Sequence, residues 1–125
     1  DNEWDMLQQE KIGNDQLLGK EWILKSFIDE GESIILQPNS KITIQFDKDE
    51  MTGSGGCNRY FGSYEIKNIN NISIGQLAWT EMACPDIMEQ EMKYLTAIQK
   101  ISTIQVTENK LVLSSSDGQT VLEFD

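Results

Sequence analysis

Few side chains in this sequence can do chemistry. Histidine is absent, which removes Ser-His-Asp and Cys-His catalysis and every His-containing zinc site. Two cysteines remain, Cys57 and Cys84. Two thiols cannot close a four-ligand zinc site without carboxylate help, and these lie too far apart for a CxxC redox motif. A nucleophilic cysteine needs a base or positive surroundings to become a thiolate. Only Arg59 lies near Cys57 in sequence, so a catalytic cysteine ranks low. An even count suits a single disulfide, and a disulfide implies an oxidising compartment. The alternative is two free thiols buried as small apolar side chains.

The other candidates have structural readings that outrank the chemical ones. Gly53-Ser54-Gly55-Gly56-Cys57-Asn58 is glycine-rich enough to cradle a phosphate. A phosphate loop, however, needs a lysine and a following helix, and Arg59 to Ile66 reads as a strand. A bulged or sharply bent barrel strand is the expected reading. Asp47-Lys48-Asp49-Glu50-Met51 begins like a calcium loop. It then places Met51, Thr52 and Asn58 where that loop needs an oxygen ligand, a glycine and a glutamate, so a solvated turn is expected. With 21 acidic residues, some carboxylate pair is always available, and glycosidase chemistry gains no support from that. Trp4, Trp22 and Trp79 could form a ligand platform, but Trp22 and Trp79 sit in strand patterns and read as core. No cofactor and no metal site is expected.

The positioning elements follow from composition and pattern. The 125 residues fit one domain around one core, and 38% hydrophobic with 25% charged residues is ordinary for a folded domain. Basic residues number 10 against 21 acidic, a net charge of −11. That balance disfavours nucleic acid and anionic membrane surfaces. Residues 1–15 are polar and without sustained period, and read as a flexible N-terminal tether, with the folded domain at 16–125. The chain opens on Asp1 rather than Met. A cleaved export signal and an artificial truncation both account for that.

From Leu17 onward, short apolar segments alternate with turn signals. Strands are expected at Glu21 to Ile28, with Trp22, Leu24 and Ile28 on one face, and at Ile34 to Leu36. Ile42 to Phe46 alternates with the period of a half-buried strand. Met51 to Gly55, Arg59 to Ile66, Ile72 to Trp79, Ile104 to Thr107, Leu111 to Leu113 and Val121 to Phe124 complete the set. Pro85 to Ile101 breaks the rhythm. It lacks glycine, and Asp86 with Glu89 has the spacing of a capping box. Ile87, Met88, Tyr94, Leu95 and Ile98 fall on one arc at helical spacing. Glu91 falls inside that arc, either as an edge carboxylate paired or reaching water, or as a buried acid matched to Arg59. The order predicts a mainly β (α+β) fold: a compact antiparallel β-barrel or strongly bent sheet with one packed helix.

The whole pattern resembles the META domain, the HslJ-like family. The resemblance rests on Leu18-Gly19-Lys20-Glu21-Trp22, on Gly55-Gly56-Cys57-Asn58-Arg59-Tyr60-Phe61-Gly62-Ser63-Tyr64 and on Ile72-Ser73-Ile74. Thr80-Glu81-Met82-Ala83-Cys84, the helix from Glu89 to Leu95 and the ending Leu111-Val112-Leu113 through Leu122-Glu123-Phe124 complete it. It implies a structural role for Gly55, Gly56, Asn58 and Thr80. It also implies an exported domain, periplasmic or a lipoprotein, held to the membrane by a lipid anchor removed from this sequence. The family has no established enzymatic activity and is linked to stress and antibiotic tolerance. The expected function is therefore a non-enzymatic envelope domain, monomeric, acting on an unidentified envelope protein. A small apolar ligand or lipid in the barrel mouth is the alternative, and a peptidase-inhibitor-like module is a weaker one. Cys57 and Cys84 are expected to form a disulfide that pins the helix start to the bent strand.

Overall fold

A computed structural model describes residues 16–125. The tether expected for residues 1–15 lies outside the described residues.

Eleven elements follow one another: β1 (Glu21–Asp29), β2 (Glu32–Ser33), β3 (Ile42–Asp47), β4 (Glu50–Gly55), β5 (Arg59–Lys67), β6 (Asn71–Ile74), β7 (Ala78–Trp79), α1 (Met88–Ile98), β8 (Thr103–Val106), β9 (Leu111–Ser114) and β10 (Val121–Phe124). Eight of the strands close an antiparallel barrel in the order β1-β3-β4-β5-β6-β8-β9-β10 and back to β1. β2 extends the edge of β1, and β7 pairs with β5 alone. Closure is what a chain of short amphipathic strands needs, because it leaves few main-chain edges unpaired.

Alternation fills the interior. Ile42, Ile44 and Phe46 of β3 point inward, as do Met51 and Gly53 of β4. Trp22, Phe27, Phe46, Tyr60, Tyr94 and Phe124 are the bulkiest side chains fully removed from solvent. Helix α1 adds Tyr94, Leu95, Ala97 and Ile98 to the same core.

The structure corrects the expected boundaries in four places, each with a local cause. The pairing of β1 with β10 slips by one residue between Leu24 and Ser26. This bulge turns Phe27 inward, 1% exposed, where strict alternation places Ile28. The short strand expected at Ile34 to Leu36 is instead Glu32–Ser33, and Ile35 stands 90% exposed. The strand expected at Ile72 to Trp79 is two. β6 pairs with Tyr64 to Lys67, and β7 pairs with Tyr60 and Phe61 one register later. Gly75 absorbs the slip, its N–H donating to the Ser63 carbonyl at 2.9 Å. Finally, the helix starts at Met88 with Ile87 at its N-cap and no side-chain cap. Asp86 and Glu89 form no capping box. The Cys84 carbonyl accepts the Ile87 and Met88 amides at 2.9 and 3.1 Å, which satisfies the N-cap donor and the first of the free helical donors from the main chain.

Candidate functional site

The unusual residues of the sequence meet at one corner of the barrel. β4 and β5 are joined by Gly56-Cys57-Asn58, and the Gly55 N–H donates to the Asn58 carbonyl across that turn at 2.9 Å. Gly56 sits at φ +114°, a backbone region that side chains resist. Gly55 is required for a different reason: a Cβ there would lie 2.8 Å from Glu91 Cγ and 3.0 Å from Oε2. The glycine-rich block is therefore a hairpin end under the helix, not a bend within one strand. After β7, the Thr80 N–H donates to the Arg59 carbonyl at 3.0 Å. The Thr80–Cys84 segment then crosses the corner. Cys57 and Cys84 are joined by a disulfide, with Cα atoms 6.1 Å apart.

Asn58, 2% exposed, organises the corner. Its Oδ1 accepts the Thr80 hydroxyl at 2.8 Å and the Met82 N–H at 2.7 Å. Its Nδ2 donates to the Met82 carbonyl at 3.2 Å and to Glu91 Oε1 at 2.7 Å. Thr80 Oγ1 in turn accepts the Arg59 N–H at 3.2 Å. Glu91 Oε2 accepts two successive main-chain amides, Cys57 at 2.8 Å and Asn58 at 2.6 Å. Disulfide, loop, strap and helix are thus tied to one another through a fully buried carboxylate and one amide side chain.

Comparison with known proteins matches residues 15–125 to the META domain family. The chain belongs to the META domain family. Three solved structures share the fold. One, determined by NMR on a Burkholderia xenovorans protein, is 26% identical with a TM-score of 0.68, over 91% of this chain and 86% of that one. A second NMR structure is 23% identical with a TM-score of 0.63, over 89% and 92%. The crystal structure of a DUF4847 family protein from Bacteroides vulgatus is 13% identical with a TM-score of 0.64, over 89% and 94%. No curated protein matches this chain.

In this META domain, Glu91 is the residue the sequence reading under-used. It is 0% exposed, not an edge carboxylate, and is held by main-chain and amide N–H groups, while Arg59, the partner offered by the alternative of a buried acid, is exposed on the strand next door. The signal was an acid at the Ile87, Glu91, Tyr94/Leu95, Ile98 spacing. Neither alternative names the groups that hold it, because two successive backbone amides leave no mark in a sequence. Gln90 was also missed. It is 6% exposed and bridges the loop before β3, accepting the Gln37 N–H at 2.6 Å and donating to Ser40 Oγ at 2.6 Å.

A second buried polar pair lies deeper. Tyr60 donates its hydroxyl to the Thr43 carbonyl at 2.7 Å, and the Tyr94 hydroxyl stands 2.6 Å from that of Tyr60. Burial is the first cause that lifts both phenols above their ordinary range, and the proximity of Tyr94 raises Tyr60 further. These phenols act as neutral hydrogen-bonding groups at physiological pH.

The remaining candidates come apart. Trp22 is buried, with its Nε1 donating to the Leu17 carbonyl at 3.3 Å, while Trp79 lies half-buried on β7. The two form no exposed platform. Asp47 to Glu50 is the turn between β3 and β4, with Asp49 at φ +64°. Among the described residues, no cluster of three or more Cys, Asp or Glu is placed to hold a metal ion. An open surface groove of about 710 Å³ is lined by Lys20, Thr107, Glu108, Asn109, Lys110 and Asp125. It lies outside the barrel, and its Lys110 is committed to Glu123 at 2.7 Å.

Proposed function

We propose that this META domain is a non-enzymatic envelope domain, periplasmic or lipid-anchored, that supports stress tolerance by contacting another envelope protein. One observation carries the reading: the buried polar groups at the corner are taken up in holding the corner together. Catalysis needs a reactive group left free to act on substrate. Here Asn58, Thr80 and Glu91 satisfy one another and the backbone, and the two thiols are joined. Among the described residues, no buried side-chain nitrogen or oxygen lacks a partner. The disulfide supports an oxidising compartment, and the charge of −11 argues for a protein partner over nucleic acid. Phe61 and Met82, 48% and 56% exposed, offer apolar contact points beside the corner. An apolar ligand in the barrel gains no support, because Trp22, Phe27, Phe46, Tyr60 and Tyr94 already occupy the space it would need.

The test is fractionation of the source cells combined with thiol trapping and in-cell crosslinking. The reading expects the protein in the envelope fraction, its cysteines unlabelled without reductant. It also expects a crosslinked species that Phe61→Asp weakens while leaving the fold intact. A cytoplasmic protein with two free thiols overturns the envelope assignment. A crosslink pattern unchanged by Phe61→Asp and by Met82→Asp overturns the proposed contact.

A further inference from the structure

We propose that the Gly55–Asn58 corner is a carboxylate receptor whose built-in ligand is Glu91, so that a chain lacking the Glu91 side chain binds formate in its place. The proposal goes beyond the envelope role and stands independently of it.

Three observations lead here. The first is the donor set. Cys57 N–H and Asn58 N–H converge on Oε2 at 2.8 and 2.6 Å, and Asn58 Nδ2 reaches Oε1 at 2.7 Å. Both oxygens act only as acceptors. An amide or a protonated acid would turn one of its own donors toward this row of N–H groups, so the arrangement selects a carboxylate anion. Successive main-chain N–H groups forming a concavity are a recurrent way of holding anions with neutral dipoles.

The second is the frame. Gly55 faces the carboxylate, and a Cβ there would meet Cγ at 2.8 Å, Oε2 at 3.0 Å and Cδ at 3.2 Å. The missing side chain at Gly55 leaves one wall of the site open to the carboxylate, and adding it narrows the site.

The third is that the donors facing Glu91 are also held by contacts other than Glu91. Asn58 is oriented by Thr80 and by both main-chain groups of Met82. Cys57 is fixed by its bond to Cys84. Donors held by other contacts remain in place when the ligand leaves, and such preorganisation lowers the cost of binding a replacement. Glu91→Ala removes Cγ, Cδ and both oxygens. Formate supplies one carbon and two oxygens for the last three, and the space of the lost Cγ separates it from the remaining Cβ.

The experiment is thermal unfolding of Glu91→Ala, disulfide intact, in sodium formate and in sodium chloride at equal ionic strength and pH. The expected result is a saturable rise in Tm with formate at roughly millimolar affinity, as a ligand of so few atoms allows. Chloride gives no such rise, nor does formate with the wild-type chain. The Gly55→Ala/Glu91→Ala double variant shows a weaker response, because its new Cβ would stand 3.0 Å from the place of one carboxylate oxygen and 3.2 Å from that of its carbon, closer than ordinary contact. A formate effect matched by chloride, or undiminished in the double variant, overturns the proposal, as does no effect at all. If Glu91→Ala does not fold in plain buffer, refolding yield is compared in the two salts: recovery in formate alone supports the site, and recovery in neither overturns it.

Discussion

Asn58 grips Glu91 twice, through its main-chain N–H to one carboxylate oxygen at 2.6 Å and through its side-chain amide to the other at 2.7 Å. The two residues are 33 positions apart, one in a hairpin turn and one in the helix. The same amide also holds the strap that leads to Cys84, so the grip docks helix α1 on the barrel from both sides.

Asn58→Ala removes the partner of Glu91 Oε1, Thr80 Oγ1 and both main-chain groups of Met82. Orphaned buried polar groups cost about 1–3 kcal/mol each when no water replaces the partner. A loss of about 3 kcal/mol or more in chemical denaturation is expected. Asn58→Asp should be worse than Asn58→Ala at neutral pH, because it sets a second carboxylate against Glu91 in a buried site. An Asp variant as stable as wild type would remove the assigned donor role of Nδ2.

Reduction of the Cys57–Cys84 bond, or a double Cys→Ser exchange, releases a loop with a sequence separation of 27. The chain-entropy relation gives about 3.5 kcal/mol for that length. The loss should be read from urea unfolding with and without reductant, the fold persisting in both states because the Asn58–Glu91 contacts remain. Alkylation under denaturing conditions without reductant should leave both cysteines unlabelled.

Tyr60 and Tyr94 are expected to differ on losing their hydroxyls. Tyr60→Phe leaves the Thr43 carbonyl and the Tyr94 hydroxyl without their partner, and should cost about 1–3 kcal/mol. Tyr94→Phe leaves Tyr60 still bonded to Thr43, and should cost less, on the order of 1 kcal/mol. The same pair sets an alkaline limit. Both folded-state values lie above the unfolded phenol value near 10, so the stabilisation is complete below about pH 10 and declines as pH rises beyond it. Absorbance titration of the folded protein should show Tyr64 ionising first among its three tyrosines. Tyr64 is raised more modestly, by partial burial and then by Asp49 and Asp47.

Gln90→Ala cuts the tie between helix α1 and the loop before β3. The Gln37 N–H loses its acceptor and Ser40 Oγ its donor. A cost of about 1–2 kcal/mol is expected, with amide exchange at Gln37 accelerated well beyond that at Ile44. Unchanged exchange at Gln37 would show that the loop is held by other contacts.

The barrel and helix α1 were legible because period and turn chemistry agree along most of the chain. Ile42, Ile44 and Phe46 alternate without interruption, and Met88 to Ile98 carries an apolar arc. What escaped was displacement by one residue. A bulge at Leu24–Ser26 exchanges Phe27 for Ile28, and another at Gly75 to Leu77 splits one expected strand into β6 and β7. Alternation holds within each strand, and a bulge resets it without any obligatory residue type. The capping box failed for a related reason. Asp86 and Glu89 have the right spacing, but the N-cap falls on Ile87, and the Cys84 carbonyl takes the Ile87 and Met88 amides. At the corner, the unusual residue types were visible in the sequence. Their shared dependence on Glu91 was hidden, since its partners are largely main-chain groups.

The pairing of β1 with β10 has a bearing on when this chain can fold. Leu24 finds its partner in Phe124, and Phe27 in Leu122. A ribosome must therefore add roughly a hundred residues after β1 before the ring can shut, and closing so long a loop is slow. Until then the edge of β1 that pairs with β10 has no partner. A nascent chain in that condition is a good substrate for holding chaperones and for threading through a narrow channel. The strand that closes the ring is the last of the described elements, far in sequence from its partner.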